Sequence, residues 1–164
     1  MSDSKIKLIS DVSRQLIDQS VAKYPVDQKQ SACMPALRVL QEQNGGWLTT
    51  ELMDELAIYL DMSAIAIYEV ATFYSMYEHK PVGKHKLCVC TNISCLLRGS
   101  EGVVEHLESK LGIKMGEVTV DGKFSLKEVE CLGACVGAPM MQIDRVYHEN
   151  LTPEKIDSIL DGLE

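Results

Sequence analysis

His85-Lys86-Leu87-Cys88-Val89-Cys90-Thr91-Asn92-Ile93-Ser94-Cys95 is where this 164-residue chain changes character. His85 to Thr91 reads as a strand ending at Cys90, and the residues after it read as a loop that closes on Cys95. Downstream, Ser100 to Leu111 carries the helical stripe Val103, Val104, Leu107 and Leu111, with Gly112 as its stop. Glu117 to Val120 and Phe124 to Val129 read as short strands around Asp121-Gly122-Lys123, and Pro139 to Ile143 reads as another. Thr152-Pro153 caps a last helix bearing Ile156, Ile159, Leu160 and Leu163. Strand, helix, strands, helix is the order of a small layered α/β unit.

Upstream the pattern is helical throughout. Ile9, Val12 and Leu16 form one stripe, which stops at Tyr24-Pro25, where the proline restricts the residue before it. Cys33, Leu37 and Leu40 form a second, ending at Gly45-Gly46. A third opens after Thr49 or Thr50, with Glu51, Asp54 and Glu55 near the positive helix start and Leu52, Leu56 and Leu60 on its face. The fourth opens at Ser63 and carries Ile67, Val70, Ala71 and Tyr74 towards the aromatic group Phe73, Tyr74 and Tyr77. The break between the two regimes is His79-Lys80-Pro81-Val82-Gly83-Lys84, so the chain divides into a helical domain, 1–80, and an α/β domain, 81–164.

Four of the six cysteines stand in two short pairs, Cys90-x4-Cys95 and Cys131-x3-Cys135, in loops at predicted strand ends. The tight C-x2-C knuckle of many zinc sites and of thioredoxin-type dithiols is absent. Disulfides are disfavoured because Met1-Ser2-Asp3-Ser4 begins nothing like a secretory leader. Plant-type 2Fe-2S spacing fails at its third cysteine, where Arg98 stands, and His79, His85, His106 and His148 show no pairing with the cysteines that a Rieske centre would need. An all-cysteine 2Fe-2S cluster on an unusual spacing remains. Cys33 lies on a helical apolar stripe and Cys88 inside a strand, so both read as small buried hydrophobes. Cys88 faces the same way as Cys90, and proximity to the loop decides for Cys90. Gly133 and Gly137, with the 90–95 loop, are expected to bring backbone N–H groups to the sulfurs, or else simply to make turns. Arg98 reads as a solvated arginine, with tuning of the cluster as the alternative.

The formal charge of −8 argues against nucleic acid or an anionic bilayer as direct partner. Ile58 to Tyr77 is the nearest approach to a membrane span, and Asp61 and Glu69 interrupt it. No G-x-G-x-x-G segment offers a turn for a dinucleotide. Phe73, Tyr74 and Tyr77 read as packing residues, with a partner contact as the alternative.

Val70-Ala71-Thr72-Phe73-Tyr74, Cys90-Thr91-Asn92-Ile93-Ser94-Cys95, Glu130-Cys131-Leu132-Gly133-Ala134-Cys135 and Ala138-Pro139-Met140-Met141 together resemble the NuoE type of subunit of respiratory complex I. The resemblance implies a thioredoxin-like 2Fe-2S ferredoxin domain preceded by a helical bundle, with Cys90, Cys95, Cys131 and Cys135 as cluster ligands. It further implies docking on a flavoprotein subunit that binds FMN and NADH, within a proton-pumping NADH:quinone oxidoreductase, with no turnover by this chain alone. A flavin is needed there because NADH delivers two electrons as hydride and a 2Fe-2S cluster takes one. Such a subunit is expected on the cytoplasmic side of a bacterial inner membrane, peripheral to it. The same building block occurs in NAD-linked formate dehydrogenases and hydrogenases, which remain the alternative assembly. A zinc-bound structural adaptor and a free diffusible ferredoxin are the other readings. Pro139 lies where a cis bond is an option.

Overall fold

The computed structural model describes residues 8–163 and divides into two compact units, Met1–Pro81 and Val82–Glu164. The first is all helical: α1 (Asp11–Val21), α2 (Cys33–Gln43), α3 (Thr50–Leu60) and α4 (Ala64–Phe73), with a 3-10 segment at Val26–Ala32. Side-chain caps start two of them, and a serine stands at the N-cap position of a third. The Ser10 hydroxyl accepts from the Ser13 N–H, the Thr49 hydroxyl accepts from Leu52, and Ser63 holds the extended N-cap position of α4. Gly45 and Gly46 end α2 at φ +72° and +99°, which lets the Gly46 N–H reach back to the Gln41 carbonyl at 2.8 Å.

One core fills this unit, and Ile17, Leu37, Leu40, Leu56, Leu60 and Ile67 are all fully buried in it. The predicted faces of α2 and α3 are the buried ones, but that of α1 is rotated. Val12 is 68% and Leu16 44% exposed, whereas Ile9, Ser13 and Ile17 turn inward. The i, i+4, i+8 spacing of those three keeps one helical face, and the Ser13 hydroxyl is accommodated there because the Ser10 hydroxyl bonds it at 3.0 Å. The aromatic group at the end of α4 splits. Tyr77 is buried and donates to the Met34 carbonyl at 2.9 Å, while Phe73 is 80% exposed.

The second unit contains β1 (His85–Cys90), α5 (Ile93–Leu96), α6 (Ser100–Leu111), β2 (Phe124–Val129), β3 (Met141–Ile143), β4 (Val146–His148) and α7 (Pro153–Asp161). The sheet order is β2-β1-β3-β4. β1 and β2 are parallel, in register from His85 opposite Phe124 to Cys90 opposite Val129, and α6 makes the crossover that a parallel pair requires. β1 with β3 and β3 with β4 are antiparallel. Leu87 and Val89, Leu126, and Met141 and Ile143 share one core with Val103 and Leu107 of α6 and with Ile156 and Leu160 of α7. Cys88 and Cys90 alternate with Leu87 and Val89, so they point to the other face.

Three expectations need correction here. Residues 117–120 make only an isolated bridge, Val118 with Ser125, tied to β2 by the Thr119 N–H on the Phe124 carbonyl at 2.8 Å and the Leu126 N–H on the Glu117 carbonyl at 3.0 Å, and Val120 beyond it is fully exposed. The third strand begins at Met141, two residues later than expected, after a cis Ala138–Pro139 bond, and Pro139 has no N–H to give a ladder. β4 is a strand that the sequence pattern does not predict. Its hairpin turns through Asp144 at φ +55° with no glycine or asparagine to mark it, and the Asp144 carboxylate instead braces the turn against β1, accepting from the Lys86 N–H at 3.1 Å and bonding His85 Nδ1 at 2.9 Å. Among the described residues no helix is long and apolar enough to cross a membrane.

Candidate functional site

Cys90, the last residue of β1, and Cys95, within α5, are 3% and 1% exposed and pack with Ala138 and Met140 into a small cluster of their own. The Cys90 N–H donates to the Met140 carbonyl at 3.2 Å, and the Met140 N–H in turn donates to the Cys95 sulfur. The loop between them is shaped by Asn92. Its carbonyl oxygen accepts from the Ile93 N–H at 2.9 Å, capping α5, while its amide donates to the Glu130 carboxylate. Glu130 immediately precedes Cys131, so Asn92 ties one cysteine loop to the other.

Cys131 and Cys135 lie at the surface with their sulfurs 3.4 Å apart. Gly133, at φ +85°, gives the sharp turn that brings its N–H to 3.4 Å from the Cys131 sulfur. Tyr147 of β4 holds this loop from the other side, donating its hydroxyl to the Leu132 carbonyl at 2.7 Å. Arg98, expected to be merely solvated, donates to the Ala138 carbonyl at 3.3 Å and so braces the loop that carries Met140. Gly137 does not serve the sulfurs; its N–H bonds the Ala134 carbonyl at 3.0 Å, and its missing side chain leaves room for Glu149.

The two pairs differ electrostatically. Burial, reinforced by the bond to Cys90, pushes the Cys95 thiol up to about 11, while the Met140 N–H opposes the shift. The Gly133 N–H and then Cys135 hold the Cys131 thiol below its ordinary value. Leu132 and Ala134, which lie between Cys131 and Cys135, pack against the Cys90–Cys95 cluster and so bring the two loops side by side. Cys88 and Cys33 are both buried, as the sequence indicated.

As a donor set this suits a binuclear cluster. The sulfurs stand in two pairs, one buried and one at the surface. Two thiols per iron, on loops already furnished with N–H donors, are what a 2Fe-2S centre uses. The sequence indicated the cysteines and Gly133. It did not indicate Asn92, Glu130, Tyr147 or the Met140 N–H, although Asn92 at the head of a short helix is a capping signal.

Residues 17–164 match the family model described as Thioredoxin-like [2Fe-2S] ferredoxin. The chain is 51% identical over 148 residues to the E subunit of the NADH-quinone oxidoreductase of Rickettsia bellii (strain RML369-C), spanning 90% of this chain and 89% of that relative. It is 44% identical over 147 residues to the mitochondrial NADH dehydrogenase (ubiquinone) flavoprotein 2 of Dictyostelium discoideum, spanning 90% of this chain and 60% of that one. Its fold is similar to part of an NAD+-reducing NiFe-hydrogenase in the air-oxidized state, with a TM-score of 0.67 at 20% identity, over 77% of this chain and 22% of that chain. That last likeness shows the fold alone. With a thioredoxin-like α/β unit, four thiols gathered at its strand ends and half of its aligned residues shared with its bacterial relative, the chain belongs to the thioredoxin-like 2Fe-2S ferredoxin family, in the branch formed by the E subunits of NADH-quinone oxidoreductases.

Proposed function

We propose that Cys90, Cys95, Cys131 and Cys135 hold one 2Fe-2S cluster and that the chain exchanges single electrons with an FMN on a partner subunit of a proton-pumping NADH:quinone oxidoreductase. The observation that carries this reading is the pairing of two buried with two surface thiols on loops tied together by Asn92 and Glu130. When bound, the cluster supplies one-electron storage beside a two-electron donor. The chain's own residues do the rest. The Met140 and Gly133 N–H groups offset thiolate charge, Cys90 and Cys95 sit away from water, and Cys131 and Cys135 leave one side accessible to a partner.

The partner carries the NADH and FMN sites, and the complex lies on the cytoplasmic side of the bacterial membrane. Residues 1–80 act as the docking element, with exposed Phe73 of α4 among the contacts. A formate dehydrogenase or hydrogenase assembly has less support, since the relatives at 44% to 51% identity carry NADH dehydrogenase names.

Anaerobically purified protein is expected to contain iron and acid-labile sulfide in equal amounts and to give a one-electron paramagnetic signal on reduction. Cys90→Ala, Cys95→Ala, Cys131→Ala and Cys135→Ala each lose or alter that signal, and Cys88→Ala keeps it. Zinc without sulfide, or loss with Cys88→Ala but not with Cys90→Ala, refutes the ligand set. Unchanged co-purification of Phe73→Ala with the flavoprotein removes that residue from the docking surface.

A further inference from the structure

Cys90 and Cys95 are 3% and 1% exposed, while Cys131 and Cys135, the other pair of proposed ligands, stand at the surface. Two pieces of chain pack over the buried pair. One holds Ala138 and Met140, which share the small cluster of Cys90 and Cys95. The other holds Leu132 and Ala134, which pack on that cluster from the loop bearing Cys131 and Cys135. A metal group brought from outside reaches the buried sulfurs after one of these covers opens locally.

The two covers are held unequally. Residues 137–140 are tied to the body of the unit from several directions. The Asn150 N–H donates to the Gly137 carbonyl at 2.6 Å, the Leu151 N–H to the Pro139 carbonyl at 3.0 Å, the Cys90 N–H to the Met140 carbonyl at 3.2 Å, and Arg98 to the Ala138 carbonyl at 3.3 Å. β3 follows at once and pairs with β1. The 131–135 loop is fastened by side chains at exposed positions instead: the Asn92 amide on the Glu130 carboxylate just before it, and the Tyr147 hydroxyl on the Leu132 carbonyl at 2.7 Å. At its tip Gly133 takes φ +85°, and a Cβ there would meet nothing within 4 Å, so the tip faces open space. The looser cover is therefore the one that bears two thiols.

We propose that Cys131 and Cys135 acquire the cluster first, from a thiolate-bound 2Fe-2S donor, and that their loop then delivers it to Cys90 and Cys95. This rests on the ligand set proposed above and adds the order in which the ligands act. Each exchange forms one iron–Sγ bond and breaks one bond from iron to a donor thiolate; the cysteine proton leaves on the departing thiol, and no electron moves. The surface pair meets a donor without any movement of the chain, and the buried pair does not. Closure puts Leu132 and Ala134 back over Cys90 and Cys95, so the loop that admits the cluster also shields it.

The test mixes the reduced, metal-free, full-length chain with a 2Fe-2S cluster carried on glutathione thiolates and follows visible circular dichroism at several donor concentrations. A capture phase that depends on donor concentration should precede a delivery phase that does not. Cys90→Ala/Cys95→Ala should keep the capture rate within about twofold of the parent, because the surface thiols are untouched. Cys131→Ala/Cys135→Ala should slow it about 10-fold or more, because the thiols left are reached only through an opened loop. Tyr147→Phe should speed delivery about 5-fold, the scale of one net hydrogen bond. Equal slowing by the two double substitutions, or greater slowing by the buried pair, overturns the order, and a delivery phase unmoved by Tyr147→Phe overturns the moving loop. The parent supplies a reading that needs no substitution. Brief pulses of iodoacetamide during transfer should find Cys131 and Cys135 protected in the capture phase, and protection that arrives only with delivery overturns the proposal. A parent that takes up neither iron nor sulfide refutes the ligand set itself, and the order falls with it.

Discussion

Replacing Asn92 by alanine separates two jobs that one side chain performs. Its carbonyl oxygen caps α5 through the Ile93 N–H, and its amide holds the Glu130 carboxylate at the start of the Cys131 loop. An N-cap of this kind contributes about 1 kcal/mol, and a charge-assisted bond at an exposed position about 1 kcal/mol more after allowance for solvent. Losing both should make opening of the paired loops about 2 kcal/mol easier, which at 1.36 kcal/mol per decade is roughly 30-fold in rate. The assay is the decay of the visible absorbance of the cluster-loaded chain in excess chelator. Asn92→Ser keeps a capping oxygen but cannot span to Glu130, so it should accelerate release only about 5-fold. Asn92→Ala within about twofold of the parent refutes the idea that this residue ties the two loops.

Three further outcomes follow from the same geometry. A side chain at Gly83 would place its Cβ 2.4 Å from the Phe124 carbonyl carbon and 2.7 Å from the Ser125 nitrogen, both backbone atoms that cannot swing aside. Gly83→Ala should therefore cost about 3 kcal/mol, lowering the Tm of the α/β transition by roughly 15 °C, and a calorimetric scan matching the parent's would contradict the close approach of the Gly83 backbone to β2. Ile17→Ala should cost about 3 kcal/mol in denaturant melts monitored by Trp47 fluorescence, whereas Val12→Ala should change stability by less than about 0.5 kcal/mol; the reverse ranking would restore the face of α1 expected from sequence. Asp157 is held below the ordinary aspartate value, first by His106 and then by Lys110. A depressed carboxylate adds stability above its unfolded value and loses it as pH falls through the folded one, so Asp157→Asn should flatten the acid limb of the stability curve.

The parts of this fold that are legible in the sequence are those where a local rule and the tertiary structure agree. Thr49 and Thr152 are capping residues that cap, Gly45-Gly46 and Gly112 are helix stops that stop, and Leu52, Leu56 and Leu60 form a stripe that is buried. Where α1 departs from its predicted face, the information is non-local. Ile9, Val12 and Leu16 are as good a helical stripe as Ile9, Ser13 and Ile17 by spacing, and a serine argues against burial until the Ser10 hydroxyl is in place to satisfy it. β4 is hidden for a similar reason. Its turn depends on what the Asp144 carboxylate reaches across the sheet, Lys86 and His85, nearly 60 positions earlier in the chain.

The site shows the same division at higher resolution. Thiols announce themselves by spacing, because a short loop between two cysteines constrains where their sulfurs go, and the loop of Cys131 and Cys135 packs through Leu132 and Ala134 against the cluster that Cys90 and Cys95 form. The groups that position them carry no such mark. Tyr147 acts on the Cys131 loop from a strand that the pattern does not predict, Met140 acts through its backbone N–H, which any residue but proline supplies, and Arg98 acts on a carbonyl forty residues away. Each supporting contact joins segments distant in sequence, so the chain specifies the chemistry locally and its geometry only after folding. That ordering has a consequence for variants. Substitutions at the four cysteines should lose the centre or alter its signal, while substitutions at Asn92, Tyr147 or Arg98 should leave the signal as it is but the centre shorter-lived, because they loosen loops whose proposed sulfur ligands are still present.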